Sequence, residues 1–501
     1  MAFQPNRTDL PVMVWLPQGG FISDATPLFQ PEFLLAKDVV LVVLQHRLGV
    51  LGFLSTEDAE LPGNLGLKDQ AMALRWVQDN IRDLGGDPDK VTIFGQNAGG
   101  AAVHYHMLSP MSSGKSVLAR GNSISWPAVS HGQGSYSRCG EERAIMQSGA
   151  ALCPWALRED HRQVAFGFGR MVGCPGDRAD AANSTALVDC LRDVPVEQLM
   201  AVTPYITPSP YVLTPRVDGE FLPAHPATLV REGRYNRVDV LSGVTRDEGA
   251  FNARAFVEDG VMDSMIQNFS LVGPPALGFE AWDDDPEYLA RLAFHRYLGP
   301  MEFDLTRIDP LVKLLGDSFY SMCHVEAVEH HARDAAFGFR AFAYELQHRG
   351  EHAFSDLFRG PSPAWNLACE EPFLGDKRLS RICYVGDSDD LQYLFSFDKL
   401  NVSLTKEEDL FVSRIMVDLW TNFAATGNPT PDLSLGFKWT PTEASSLSYL
   451  GITSAPAMKV YDREQVRRSA SKSISDIEFW RNLPRKMNKL LYPDRFSQNS
   501  N

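Results

Sequence analysis

The chain has 501 residues, of which 44% are hydrophobic and 22% are charged, so it can fold around a large apolar core. Its 63 acidic and 47 basic residues give a formal net charge of −16, which argues against binding to nucleic acid or to anionic lipid. No apolar run reaches the ~20 residues that a membrane-spanning helix needs, and the first residues do not read as a signal peptide.

The first part of the chain alternates between predicted strands and a predicted helix. Residues 12–17 and 39–44 are apolar runs. The second run contains no polar residue, which is typical of a parallel strand covered on both faces of its sheet. Residues 63–77 place apolar side chains at three- and four-residue spacing and predict a helix. This alternation favours a wound α/β sheet.

Residues 91–100, with the sequence Val-Thr-Ile-Phe-Gly-Gln-Asn-Ala-Gly-Gly, predict a strand, a tight turn and the start of a helix. A nucleophile between two glycines in such a turn forms the nucleophile elbow of α/β-hydrolases. The glycines allow the sharp bend that lifts the central side chain into the site. The expected serine is absent, and Asn97 stands in its place. A carboxamide has no ionisable hydroxyl and cannot form an acyl-enzyme.

The rest of the chain carries further predicted strands and one unusual segment. The strands are predicted at 144–148, 238–243 and 339–344, and a polar helix is predicted at 474–491. Residues 115–142 are rich in Ser, Gly and Arg and show no periodicity. Structureless loops of this length are uncommon inside compact domains, so we expect a disordered insertion in a single domain that spans 1–501. A functional lid is the alternative.

Several sequence blocks, taken in order, resemble the type-B carboxylesterase (cholinesterase-like) family. They are Gly19-Gly20-Phe21, then 47–49, 63–88 leading into the elbow, 243–249 and 389–395. The resemblance implies an α/β-hydrolase fold with a mostly parallel central sheet, helices on both faces, and no cofactor or metal. Family members have a signal peptide and further strands before the glycine-rich loop. We therefore expect this chain to be incomplete at its N-terminus and the protein to be secreted.

The resemblance assigns the three positions of a catalytic triad to Asn97, Asp387 and Glu248. Glu248 fits the acid position. Asp387 stands where the family has a histidine, because the family pattern His-x-Asp-Asp-Leu reads Asp-Ser-Asp-Asp-Leu at 387–391. An ionised carboxylate accepts hydrogen bonds but has no proton to deliver. The nucleophile and the base are both lost.

The resemblance also places the oxyanion-hole donors at the backbone N–H groups of Gly19, Gly20 and Ala98. The two residues before this loop are Pro17 and Gln18, where the family has His-Gly, so the conformation of the loop is in question. Gln96 replaces the usual glutamate beside the nucleophile.

Two carboxyl groups in one pocket repel each other, and one then takes up a proton. Because the NH2 group of Asn97 can donate while its carbonyl accepts elsewhere, we expect a hydrogen bond from Asn97 to Asp387, direct or through water. We also expect a raised pKa at Glu248 or Asp387. The former active site would then be a structural polar cluster.

The seven cysteines leave at least one without an intrachain partner. The family has a disulfide in the context of Cys174 and Cys190, and two buried thiols are the alternative. We expect Cys139 to be the odd thiol and leave Cys153, Cys323, Cys369 and Cys383 unassigned. Glycosylation sequons occur at Asn6, Asn183, Asn268 and Asn401.

These features predict a catalytically impaired carboxylesterase-like protein that acts by binding or adhesion outside the cell. In this it resembles glutactin and neurotactin, which are non-catalytic insect members of the family. The expected partner is an extracellular protein or a small hydrophobic ester, with no nucleic acid and no membrane span. Two alternatives stay open: a carboxylic-ester hydrolase, and a protein that binds hydrophobic esters without cleaving them.

Overall fold

A computed structural model describes residues 8–113, 143–175, 184–206, 212–256, 260–300, 308–354, 373–374, 377–378, 384–397, 403–461 and 477–497. Four sequence predictions fall at least in part outside these ranges. They concern the segment 115–142, the cysteines Cys139, Cys369 and Cys383, the sequons at Asn6, Asn183 and Asn401, and the first residues of the helix predicted at 474–491.

The strands in the described part of the chain are β1 Leu10–Leu16, β2 Val40–Val43, β3 Gly86–Gln96, β4 Arg143–Gln147, β5 Asp239–Thr245, β6 Ala341–Leu346, β7 Phe373–Leu374, β8 Lys377–Arg378, β9 Ser448–Ile452 and β10 Ala457–Val460. Eight of them form one sheet in the order β10-β9-β6-β5-β4-β3-β1-β2, and β7 pairs separately with β8. Neighbours in the large sheet are parallel except β9 and β10. The predicted mostly parallel sheet is confirmed.

The helices are α1 Gly49–Phe53, α2 Leu65–Asn80, α3 Ala98–Leu108, α4 His161–Met171, α5 Ser184–Asp193, α6 Val196–Ile206, α7 Pro226–Arg231, α8 Ala250–Ala253, α9 Val261–Gln267, α10 Phe269–Ala276, α11 Pro286–Leu298, α12 Ile308–Gly316, α13 Met322–Ala332, α14 Glu407–Thr426, α15 Ile477–Asn482, α16 Lys486–Leu491 and α17 Pro493–Phe496. Among the described helices, none combines the length and the hydropathy that crossing a bilayer would require.

Helices cover both faces of the sheet, as predicted. Alternate residues of β1 show this most clearly, because Val12, Val14 and Leu16 belong to one core and Met13 and Trp15 to the other. Side chains in a strand point alternately to opposite faces, so each face of β1 contacts a different layer of helices. Helix α3 packs on the first face and α14 on the second.

Two local predictions need correction. Strand β2 was expected to be covered on both faces, but it lies at the edge of the sheet, none of its four residues is fully buried, and Val43 is 42% exposed. An apolar run predicts a strand but does not tell how many neighbours the strand has. The single helix at 474–491 is wrong because α15 and α16 are separate. Pro484 lies between them, and proline interrupts a helix interior.

The structure contains two disulfides among the described cysteines. Cys174 and Cys190, 16 residues apart, are bonded. Closing a loop of this size stabilises the fold by roughly 3 kcal/mol in the chain-entropy model. Cys153 and Cys323, 170 residues apart, form the second bond, whose pairing the sequence left open. It joins the segment after β4 to the second residue of α13.

Candidate functional site

The turn between β3 and α3 places Asn97 above the carboxyl end of the central sheet. Asn97 has φ 53° and ψ −116°, a conformation that residues with a side chain rarely adopt. Glycines allow neighbouring backbone segments to pass close to this turn. A Cβ atom on Gly99 would lie 2.2 Å from the carbonyl oxygen of Leu16, and a Cβ atom on Gly149 would lie 2.1 Å from the carbonyl oxygen of Asn97. The predicted strained elbow is confirmed.

The side chain of Asn97 makes two hydrogen bonds within the site. Its Nδ2 donates to Oδ2 of Asp387 at 3.3 Å, and its Oδ1 accepts from the backbone N–H of Ala98 at 2.8 Å. The predicted contact between Asn97 and Asp387 is therefore confirmed. The partner of the Asn97 carbonyl was not predicted, and it is the N–H group that the resemblance assigns to the oxyanion hole. The carboxamide thus occupies a donor that a bound ester carbonyl would need.

Two glutamines attach the neighbouring loops to Asp387 and Ser388. Gln96 donates from Nε2 to Oδ1 of Asp387, across 291 positions in the sequence. Ser388, which has φ 72°, donates from Oγ to Oε1 of Gln18 at 3.1 Å. The sequence marked Gln96 and Gln18 as departures from the family but gave no partner for either. Their contacts connect the glycine-rich loop, the elbow and the segment at 387–388.

The glycine-rich loop after β1 has three successive residues with positive φ: Gly19 at 112°, Gly20 at 62° and Phe21 at 64°. The carbonyl of Gly19 accepts from the N–H groups of Ile22 and Ser23, which closes the turn. The N–H groups of Gly19 and Gly20 make no hydrogen bond with any described residue. Both glycines are partly exposed, so their N–H groups can bond to water or to a ligand.

Glu248 follows β5 and is buried. Its Oε1 accepts from Oγ of Ser148 at 2.6 Å and from the N–H of Thr245 at 2.7 Å. In a working triad the acid orients a histidine, but no histidine in the described ranges donates to Glu248. Its Oε2 is buried and has no partner among the described residues. Glu248, which the resemblance assigns to the acid position, therefore orients no histidine in the described part of the chain.

Burial and mutual repulsion perturb the carboxyl groups of the site. Burial, and then the charge of Asp387, raise the pKa of Glu248 well above its usual range. Burial, and then the charge of Asp390, raise the pKa of Asp387 to about 8, although hydrogen bonds from Gln96 and Asn97 oppose the shift. The predicted rise is confirmed at both positions. At neutral pH Asp387 is mostly protonated and neutral.

Asp390 is a further buried carboxyl group near the site. It accepts from Nε2 of Gln147 and from the hydroxyl of Tyr344, each at 2.8 Å, and burial raises its pKa as well. Within the described ranges, no Lys, Arg or His side chain bonds to Glu248, Asp387 or Asp390. We call these three residues the carboxyl cluster. Every side chain that donates to it is electrically neutral.

Two histidines of α3 take part in buried networks. His104 contacts His331 at 3.1 Å, and His106 contacts Gln70 at 2.9 Å. Burial lowers the pKa of His104 well below its usual range and that of His106 to about 3, so both are neutral. Among the described residues, no group of three or more His, Cys, Asp or Glu side chains is arranged to hold a metal ion.

Two cavities lie near these elements. One of about 30 Å³ borders Glu248 and Thr245, on the side where α12 packs. The other, of about 90 Å³, is lined by the early residues of β3, such as Val91, and by His106 near the end of α3. The first part of β3 and the last part of α3 lie away from the elbow that joins them. Of these two cavities, only the smaller one therefore borders Glu248.

Comparison with known proteins shows which family this chain is similar to. A sequence profile of the carboxylesterase family matches residues 2–470. The chain is 31% identical to acylcarnitine hydrolase of Mus musculus over 98% of this chain and 74% of that protein. It is 30% identical to juvenile hormone esterase of Tribolium castaneum over 85% of this chain and 69% of that protein. It is also 29% identical to venom carboxylesterase-6 of Apis mellifera over 96% of this chain and 78% of that protein.

Proposed function

The chain belongs to the carboxylesterase family, and we propose that it has kept the fold of that family without its ester hydrolysis. One observation carries the proposal. The side-chain amide of Asn97 bonds to Asp387 on one side and to the N–H of Ala98 on the other. The nucleophile position is thus part of a stable hydrogen-bond network with no attacking group.

Each catalytic role fails for its own chemical reason. Acyl transfer needs a nucleophile, a base that removes its proton, and an acid that orients the base. Asn97 has no hydroxyl to activate. Asp387 could serve as a base only when ionised, and its pKa of about 8 keeps it mostly neutral at pH 7. Glu248 bonds to Ser148 and has no histidine to orient among the residues that the structure describes.

The proposed role of the protein is binding or adhesion outside the cell, as for glutactin and neurotactin. Two disulfides support a secreted protein, because such bonds persist in oxidising compartments. The sequon at Asn268 is exposed at the end of α9, where a glycan could be attached. The partner is an extracellular protein or a small hydrophobic ester that is held and not cleaved.

Ester hydrolysis is the second candidate function. The relatives' names favour it, because they describe an acylcarnitine hydrolase, a juvenile hormone esterase and a venom carboxylesterase. The open N–H groups of Gly19 and Gly20 also favour it, since backbone donors of this kind stabilise an oxyanion.

Turnover of p-nitrophenyl acetate, together with labelling by an organophosphate, separates the two functions. We expect neither with the unmodified protein, and neither with Asn97→Ser, because no base would activate the new hydroxyl. The double variant Asn97→Ser with Asp387→His rebuilds the triad. Activity in this variant alone would show that the oxyanion hole still works beside Gln18. Hydrolysis by the unmodified protein that Asn97→Ala abolishes would refute the proposal.

A further inference from the structure

Helix α10 exposes apolar side chains in its first turn. Leu271 is 80% exposed, the highest value among the large hydrophobic side chains in the described ranges, and Val272 beside it is 41% exposed. On α11, which packs against α10, Tyr288 and Leu292 are exposed as well. Apolar side chains that are exposed together, and not singly, usually mark a surface that another group covers.

The same turn of α10 begins at a glycosylation sequon. The sequence at 268–270 is Asn-Phe-Ser, and Asn268 is exposed. The carbonyl oxygen of Asn268 accepts from the backbone N–H groups of Leu271 and Val272, each at 3.0 Å. Side chains three and four residues apart in a helical turn lie on the same face, with about 5–6 Å between their Cβ atoms. Helical side chains also lean towards the N-terminus, so Leu271 and Val272 lean towards Asn268.

We propose that an N-linked glycan on Asn268 covers the apolar first turn of α10. The inference rests on the proposed function in one respect, because the glycan is transferred only in the secretory pathway, where an extracellular protein is made. In the transfer, Nδ2 of Asn268 loses one proton and bonds to C1 of an oligosaccharide, while the bond from C1 to its polyprenyl diphosphate carrier breaks.

The first sugar of the glycan would lie within one helical turn of Leu271 and Val272. A pyranose ring presents C–H groups on its faces and hydroxyl groups around its edge. The ring can therefore pack a face against the two apolar side chains while its hydroxyl groups remain in water. This contact removes apolar surface of both partners from water, which is favourable.

The contacts of the folded sequon are compatible with a glycan. Nδ2 of Asn268 donates to the carbonyl oxygen of Ser264, in α9, at 3.0 Å. The linkage replaces only one of the two amide hydrogens, so the other can keep this bond and hold the first sugar where α9 meets α10. Oγ of Ser270 donates to Oε1 of Glu287 on α11 at 2.7 Å. Because folding engages this hydroxyl of the sequon, the glycan is attached before α11 packs against α10.

Mass spectrometry tests whether Asn268 is modified. The full chain is secreted from insect cells with a fused signal peptide, which fixes its route independently of its natural location. We expect the peptide that contains Asn268 to carry a glycan that peptide N-glycosidase removes. Ser270→Thr keeps the sequon and should keep the glycan, whereas Asn268→Gln and Ser270→Ala should both lose it.

Hydroxyl-radical labelling of the same proteins tests whether the glycan covers the turn. Labelling of Leu271 should be at least about twofold slower with the glycan than in Asn268→Gln, because covering half of an exposed side chain halves its reaction. Ser270→Thr should keep this protection, and Ser270→Ala should lose it. Leu433, which is 73% exposed in the segment after α14, is the matched control and should label equally in every variant.

The outcomes separate this inference from the proposed function. An unmodified Asn268 in the secreted chain, or equal labelling of Leu271 with and without the glycan, would overturn the inference and leave the loss of catalysis standing. If Asn268→Gln does not fold, treatment of the folded, glycosylated protein with peptide N-glycosidase gives the same comparison. Ester turnover that Asn97→Ala abolishes would reject the proposed function, whether or not the glycan is present.

Discussion

Replacing Asp387 with asparagine should stabilise the protein at neutral and alkaline pH, although the residue lies in the centre of the site. Burial and the charge of Asp390 raise the pKa of Asp387 from 3.8 to about 8. A carboxyl group whose pKa is raised by folding stabilises the fold fully below the unfolded value of 3.8. That contribution is lost as the pH increases through the folded value of about 8.

The size of the effect follows from the shift. Each pKa unit corresponds to about 1.4 kcal/mol, so keeping Asp387 protonated at pH 7 costs about 4 kcal/mol. The Asp387→Asn variant avoids this cost. Its carbonyl can accept from Gln96, but its NH2 group would face the NH2 group of Asn97, and losing that bond costs about 1 kcal/mol. We expect a net gain of about 3 kcal/mol at pH 7 and none near pH 4.

Urea denaturation followed by tryptophan fluorescence, at several values between about pH 4 and pH 9, measures this directly. The free energy of unfolding of the unmodified protein should fall across this range, and the curve for Asp387→Asn should be flatter. Glu248 shifts in the same direction, so some slope should remain in the variant. Parallel curves for the two proteins, or a stability that increases with pH over this range, would refute the reasoning.

Three further changes test other parts of the structure. Gln96→Glu places a carboxylate beside Asp387 and should lower the stability by about 3 kcal/mol at neutral pH, less in acid; an unchanged urea midpoint would contradict this. Gly149→Ala brings a Cβ within 2.1 Å of the Asn97 carbonyl, so thermal unfolding should show a loss of about 1–3 kcal/mol, and a wild-type melting temperature would count against the elbow geometry. Deletion of 115–142, proposed as an insertion in a single domain, should leave the melting temperature unchanged or raise it, whereas a large decrease would assign the segment to the core.

The sequence by itself determined the local features of the site. A β-branched run, two glycines around Asn97 and a following helix predict the strained elbow, because each part depends on nearby residues and on spacing. Ordered sequence blocks then assigned Asp387 and Glu248 to triad positions. The direction of the electrostatic expectation also held, although burial is a larger cause of both raised pKa values than the repulsion between carboxyl groups from which it was predicted.

Only the tertiary structure decided which distant groups meet. Gln96 bonds to Asp387 across 291 positions, and Cys153 pairs with Cys323 across 170. Strand order likewise placed the apolar β2 at an exposed edge, although its composition resembles that of a central strand. Composition and spacing describe what a segment prefers, whereas partners and burial depend on how all the strands and helices pack. For that reason the sequence predicted the loss of catalysis, and only the fold showed which groups the amide of Asn97 bonds to.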